Sequence, residues 1–154
     1  MKRTFAVLIL FFLSGCSFLG IVQPNDKLDL YESIFRYAFN NSELQSSIKT
    51  EAYFLEVKGV RLNSNFFKRF KNVSLAVRPM NLSTESCSQG VVDNITHNPG
   101  LVFRIFKVVP EKENIVDVKW GYWMNRKKYS YRNTKFKFSE GRWEALVEKS
   151  VSHC

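Results

Sequence analysis

Residues 101–151 read LVFRIFKVVPEKENIVDVKWGYWMNRKKYSYRNTKFKFSEGRWEALVEKSV. Runs of β-branched and aromatic residues are separated by short polar turns, a pattern that predicts consecutive strands. We expect four of them, at 101–109, 115–124, 129–138 and 143–151. Because the turns between them are short, each strand should pair with the next, which gives an antiparallel meander.

The second predicted strand carries three large aromatic side chains. Side chains alternate along a strand, so Trp120 and Tyr122 should share one face and Trp123 should point to the other. One face should belong to the core, because large aromatic residues are usually well buried. The other is either an exposed aromatic platform, of the kind enriched at interfaces, or a second buried side.

The third predicted strand has aromatic residues on both faces. Tyr129 and Tyr131 share one face, whereas Phe136 and Phe138 fall on the other. Two interpretations remain open here. A bulge near Asn133 would bring the two pairs to one side, or both faces of the sheet are covered.

Two helices are predicted upstream of the meander. The first covers 29–40 and starts at Asp29, with an acidic residue three positions later in capping-box spacing. The second is short, covers 65–71, and has Asn63 or Ser64 as its N-cap.

Two further strands are predicted at 53–57 and 73–77, and 79–100 is the longest irregular stretch. The expected fold class is α+β. One or two short N-terminal helices should pack on a curved antiparallel sheet that ends in a four-strand meander.

The N-terminus has the pattern of an export signal. Lys2 and Arg3 precede a nine-residue apolar run at 5–13, which as a helix would be about 14 Å long, half the hydrocarbon core of a bilayer. The residues that follow, Leu13-Ser14-Gly15-Cys16, resemble the lipobox of bacterial lipoproteins.

The lipobox resemblance implies a signal peptide at 1–15, cleavage before Cys16 and lipid attachment to the Cys16 thiol. Residues 16–28 would then form a lipidated tether, and 29–154 a single globular domain. Ser17 stands where Asp would retain a lipoprotein in the inner membrane, which implies an outer-membrane anchor facing the periplasm.

The mature domain also resembles known proteins. YESIFRY at 31–37, with GLVF at 100–103 and GYW at 121–123, is similar to small exported bacterial proteins without assigned function. The GRW turn at 141–143 is similar to the last hairpin of nuclear transport factor two-like cone folds. The second likeness implies helices against the mouth of a curved sheet and carries over no functional residues.

Composition indicates one small basic domain. The chain has 154 residues and a formal net charge of +9, and its three cysteines are too few for a disulfide-dense miniprotein. In an oxidising periplasm Cys87 and Cys154 are expected to form a structural disulfide. The alternative is two unpaired thiols, because spacing alone does not prove pairing.

Motifs that would indicate catalysis are missing from the sequence. It has neither a Gly-x-Ser-x-Gly nucleophile motif nor a glycine-rich phosphate loop, and His97 and His153 lack the spacing of metal ligands. We therefore predict a protein that is not an enzyme, with no cofactor and no metal.

Basic residues interleave with aromatic ones in the meander and predict a binding surface. Its candidate residues are Arg126, Lys127, Lys128, Arg132, Lys135 and Trp123. An envelope protein or an anionic envelope polymer is the expected partner, and export argues against nucleic acid. A solvated positive rim on edge strands is the alternative interpretation.

These features together predict a membrane-anchored envelope lipoprotein that acts as a non-enzymatic binding or scaffolding module. One alternative is a small-ligand pocket or weak enzyme in a cone-like fold, lined by Phe103, Trp120, Tyr131 or Trp143. Another is an inhibitor or immunity lipoprotein that inserts 79–100 into its target.

Overall fold

The computed structural model describes residues 24–42, 50–86, 90–125 and 128–151. The predicted signal peptide and the first part of the predicted tether lie outside these residues. Within them the chain forms two α-helices, a 3₁₀ turn and eight strands. In chain order they are α1 Pro24–Asn41, β1 Ala52–Val57, α2 Ser64–Lys68, β2 Ala76–Pro79, the 3₁₀ turn Met80–Leu82, β3 Ser83–Ser86, β4 Gly90–Asp93, β5 Gly100–Lys112, β6 Ile115–Asn125, β7 Lys128–Ser139 and β8 Arg142–Val151.

Six of the described strands form one strongly curled sheet in the order β2-β1-β5-β6-β7-β8. The four-strand meander and the α+β class are confirmed, since β5, β6, β7 and β8 pair antiparallel in sequence. The sheet is nevertheless mixed, because β1 runs parallel to both β2 and β5. The expectation of an antiparallel sheet throughout was therefore wrong for β1, whose connections to its neighbours are long enough for parallel crossovers.

The first helix begins earlier than predicted. It starts at Pro24, and a proline is tolerated in the first turn because its missing N–H would have no helical partner there. Asp29 therefore lies inside the helix and is not its N-cap. Its carboxylate accepts a hydrogen bond from Arg69 at 2.5 Å, which joins α1 to the end of α2. The predicted cap of α2 is confirmed as Asn63, whose side chain accepts from the Phe66 N–H at 2.9 Å.

The main core lies between α1 and one face of the six-stranded sheet, here called the helix face. It is rich in aromatic rings, including Phe35, Phe39, Phe103 and Trp120, all of them buried. Trp120 donates its indole N–H to the hydroxyl of buried Thr134 at 2.9 Å. That bond satisfies the one polar atom of a large side chain that is otherwise buried among apolar groups.

The opposite face of the sheet, here called the outer face, is partly covered by a small second sheet. Strands β3 and β4 pair antiparallel, and Val91 of β4 packs with Phe54 and Val102 of the large sheet in a second, small core. The stretch 79–100, predicted to be irregular, thus contains a 3₁₀ turn and a hairpin. Buried Asp93 stabilises its base, because one carboxylate oxygen accepts from the Ile95 N–H at 2.8 Å and the other lies 3.2 Å from Arg78 Nε.

The tight turn predicted at 139–142 is confirmed. Ser139 and Arg142 are paired, and the two residues between them both have positive φ, 53° for Glu140 and 78° for Gly141. Two consecutive positive φ values define a two-residue hairpin turn whose twist matches that of the flanking strands. No helix in the described part of the chain is long and apolar enough to cross a membrane.

Candidate functional site

The meander places aromatic side chains on both faces of the sheet. Trp120 and Tyr122 are buried on the helix face, whereas Trp123 is half-buried on the outer face, as alternation predicted. Tyr129 and Tyr131 are 46% and 37% exposed. Strand β7 pairs with β6 without interruption from Tyr129 to Lys137, so β7 has no bulge near Asn133 and its aromatic residues lie on both faces. The shift in its pairing with β8 leaves out Leu146 of β8 and no residue of β7. The other interpretation, that both faces are covered, is wrong at Tyr129 and Tyr131, which are exposed.

Four aromatic residues form a cluster on the part of the outer face that the small sheet leaves uncovered. The ring centroids of Phe106 and Tyr131 are 5.2 Å apart, and those of Tyr129 and Tyr131 are 5.5 Å apart. Together with Trp123 they border a cavity of about 290 Å³, here called the aromatic groove. Its lining also includes Glu85 of β3, Arg104 of β5 and Asn125 of β6.

A β-bulge in β5 supplies one ring of the groove. Ile105 pairs with Trp120 and Lys107 with Lys119, so Phe106 is an extra residue without a partner in β6. A bulge sends two successive side chains to the same side of a sheet. Phe106 therefore joins Lys107 on the outer face and packs against Tyr131 instead of entering the core.

Gly121 forms the floor between these rings. It pairs with Arg104 on one side and with Tyr131 on the other. A Cβ at this position would lie 3.1 Å from Phe106 Cε2, 3.1 Å from Tyr131 Cδ1 and 2.5 Å from the Ser130 carbonyl oxygen. Only a residue without a side chain lets the two rings lie this close to the backbone of β6.

Positive charge borders the rings. The Arg104 guanidinium lies 4.9 Å from the ring centroid of Trp123 and 5.7 Å from that of Phe106, distances typical of cation–π contacts. Arg104 Nε also donates to a Glu56 carboxylate oxygen at 2.6 Å. On the other side, Lys119 Nζ lies 5.9 Å from the ring centroid of Tyr131. The groove thus combines flat apolar surfaces with cationic rims.

The residues predicted from the sequence as a binding surface are divided between the two faces. Trp123 lies in the groove. Arg132 is only 8% exposed and lies on the helix face, with its guanidinium 6.0 Å from the Tyr122 ring centroid. Alternation separates Arg132 from Tyr131, its neighbour in sequence, so it does not share a surface with Trp123.

Lys135 lies on the outer face by alternation from Tyr131, but its ammonium group already forms an ion pair. Its Nζ donates to a Glu111 carboxylate oxygen at 2.6 Å. This hydrogen bond is the main reason why the pKa of Glu111 is lowered from its ordinary value. Arg126 and Lys127 lie outside the described residues, as does the side chain of Lys128, the first residue of β7.

The four residues proposed to line a small-ligand pocket do not meet in one cavity. Phe103, Trp120 and Trp143 belong to the packed core on the helix face, whereas Tyr131 is on the outer face. A larger hollow is the open notch of about 740 Å³ beside the end of β1, which is lined by Leu55, Val57, Phe67 and Met80 among others. The charged groups of its lining are Glu56 and Arg61.

The predicted lipid attachment and the predicted disulfide lie outside the described residues, because they involve Cys16, Cys87 and Cys154. The same holds for His153. His97 is exposed in the turn after β4, with a φ of 60°. Among the described residues, no three His, Cys, Asp or Glu side chains are grouped so that they could hold a metal ion.

Comparisons with protein-family models, with curated proteins and with solved structures find no significant match to this chain. The likeness to lipoproteins, to small exported proteins and to cone folds therefore stays a prediction. Sequence reasoning missed Glu85, Arg104, Phe106 and Asn125 of the groove lining. It also missed Lys107, Lys119 and Gly121 beside the groove. Alternation in 101–109 would have placed the side chain of Arg104 on the face opposite to that of Phe103. The bulge that brings Phe106 to the outer face has no signal in the sequence.

Proposed function

We propose that this protein is a lipid-anchored binding module of the bacterial cell envelope and that it holds its partner in the aromatic groove. The observation that carries the proposal is the pair of exposed tyrosines, Tyr129 and Tyr131, beside Trp123 and Phe106. Exposed aromatic rings in a cluster are characteristic of interaction sites, because they offer large rigid contact areas at low entropic cost.

The anchor follows from the lipobox resemblance at Leu13-Ser14-Gly15-Cys16. If the lipid is attached to Cys16, the seven residues 17–23 separate it from the start of α1 at Pro24. A chain of that length spans at most roughly 25 Å. The domain would then stay close to the membrane surface, facing the periplasm if the anchor lies in the outer membrane.

The chemistry of the groove suits binding without catalysis. Its lining consists of aromatic rings, the Asn125 amide, the Glu85 carboxylate and the Arg104 guanidinium, which stays protonated at physiological pH and cannot exchange a proton with a substrate. Arg104 donates a hydrogen bond to the Glu56 carboxylate, so this carboxylate already has a partner within the protein. Such groups orient and hold a partner through stacking and hydrogen bonds.

The anchor is tested with the full chain and its Cys16→Ala variant, produced in a bacterium that processes lipoproteins. The wild type should incorporate a labelled palmitate analogue and sediment with membranes, and the variant should do neither. Equal membrane association of the two proteins without palmitate label would contradict the anchor.

The binding site is tested by photo-crosslinking in intact cells. A photoreactive amino acid in place of Tyr129 should yield one dominant crosslinked species. The matched control puts the same amino acid in place of Ile95, which is exposed in the turn after β4 and outside the groove. Substituting Tyr131→Ser in the Tyr129 probe protein should reduce the crosslink about tenfold, as expected for an anchor residue. Crosslinks of equal yield from both positions would contradict a binding role for the groove.

A further inference from the structure

Two lysines face each other on the outer face next to the groove. Lys107 and Lys119 are directly opposite in the β5–β6 pairing, and both are exposed. Like charges at directly opposed positions of neighbouring strands destabilise a sheet. No carboxylate of the described residues forms an ion pair with either of them, although Asp117 lies two positions from Lys119 on the same strand face.

Two other cations of this face are compensated. Arg104 is paired with Glu56, and Lys135 with Glu111. The lysine pair therefore concentrates positive charge on one side of the groove, and the Lys119 ammonium already lies over the Tyr131 ring. Both features favour an anionic ligand that reaches the lysines while it covers the aromatic rings.

The remaining groups limit the kind of anion. Single-stranded nucleic acid binds to grooves of stacked aromatics and cations, but its backbone carries a charge at every residue. The groove offers such a backbone few unpaired cations, because Arg104 is paired with Glu56 and the two lysines lie together at one side. The aromatic rings, which outnumber the cations of the lining, instead suit a ligand with large apolar faces and widely spaced charges.

We propose that the aromatic groove and the lysine pair bind a glycan strand that carries carboxylate groups at intervals. The apolar faces of the sugar rings would stack on Tyr131 and Trp123, and a carboxylate would contact Lys107 and Lys119. This inference rests on the proposed function, because it names the ligand class of the same groove.

The test compares two tetrasaccharides that share N-acetylglucosamine rings. One is the uncharged N-acetylglucosamine tetramer, and the other alternates N-acetylglucosamine with glucuronic acid. Their affinities for the full chain in nonionic detergent are measured by calorimetry, and Trp fluorescence reports contact with Trp123. A Trp123→Phe variant identifies that signal, because Trp120 and Trp143 are buried in the core.

We expect the charged tetramer to bind about tenfold more tightly at low salt, as two exposed ion pairs allow. The double variant Lys107→Gln/Lys119→Gln should lose that preference and keep the weaker affinity for the uncharged tetramer. The matched control is Lys58→Gln/Lys71→Gln, which removes two exposed lysines outside the groove lining. This control should keep the preference for the charged tetramer. The Tyr131→Ser variant should weaken the binding of both tetramers.

The inference is overturned by equal affinity of the wild type for the two tetramers, by a preference that survives in the Lys107/Lys119 variant, or by a thymidine tetranucleotide that binds more tightly than either saccharide. Failure of both saccharides to bind would overturn it as well. The photo-crosslinks from position 129 decide the proposed function separately, since they do not depend on which ligand class is right.

Discussion

Gly121 and Tyr131 are paired across β6 and β7, and the missing side chain of Gly121 leaves the space in which the Tyr131 ring lies against the sheet. The ring of Phe106 approaches the same position from β5. The aromatic groove therefore depends on one glycine, which the backbone conformation does not itself require, since its φ is not positive.

The substitution Gly121→Ala should consequently destabilise the protein by steric overlap. The new Cβ would lie 2.5 Å from the Ser130 carbonyl oxygen, a backbone atom that cannot move away without distorting β7. We expect a loss of about 1–3 kcal/mol in the free energy of unfolding, the usual cost of overpacking, measured by urea denaturation. Gly59→Ala is the comparison, because open space surrounds Gly59 and its cost, from a φ of 75°, should be about 1 kcal/mol. A Gly121→Ala protein as stable as the wild type would show that β6 and β7 adjust freely.

The hydrogen bond between Trp120 and Thr134 should be visible in a double-mutant cycle. Thr134→Val keeps the volume but leaves the buried indole N–H without its acceptor, and should cost about 1–3 kcal/mol in urea denaturation. In a Trp120→Phe background the same change should cost much less, because no donor remains to be satisfied. Equal costs in the two backgrounds would mean that the bond contributes nothing specific.

Arg69 should contribute to the attachment of α2 to α1. Its guanidinium contacts Asp29 at 2.5 Å and Glu32 at 3.1 Å, and the hydrogen bond to Asp29 is the main cause that raises the pKa of Arg69. We expect Arg69→Ala to lower the free energy of unfolding by about 1 kcal/mol, because one partly exposed arginine serves two carboxylates. Arg142→Ala, which removes a more exposed pair with Glu144, should have almost no effect. The reverse order of the two effects would refute this account.

The ion pair between Glu111 and Lys135 should make a small part of the stability depend on pH. Because the pKa of Glu111 is lowered in the folded state, its contribution is present above the ordinary Glu value of about 4.3 and is lost as the pH falls through the lowered value. Carbon-13 NMR titration of the Glu111 carboxyl should show its pKa returning toward the ordinary value in Lys135→Gln. An unchanged titration in that variant would mean that Lys135 is not the cause.

Local patterns were sufficient for the meander and for the separation of the aromatic residues in β6. Alternation placed Trp120 and Tyr122 on one face and Trp123 on the other, because it depends only on the two-residue period of a strand. Which of these faces belongs to the main core was decided by the packing of α1. The grouping of Arg132 with Trp123 failed because it followed charge along the sequence instead of this period. Alternation applied to Arg132 would have separated it from Tyr131.

The sequence by itself determined the α+β class, the order of the strands in the meander and the tight turn at Glu140-Gly141, because short turns and side-chain periodicity act between neighbours in the chain. Only the tertiary structure decided that β1 runs parallel to β2 and β5 and that Phe106 bulges out beside Gly121. These features depend on contacts between residues far apart in sequence, whose net energy is the sum of many small packing terms. The aromatic groove arises from such contacts, so its residues come together only in the folded sheet.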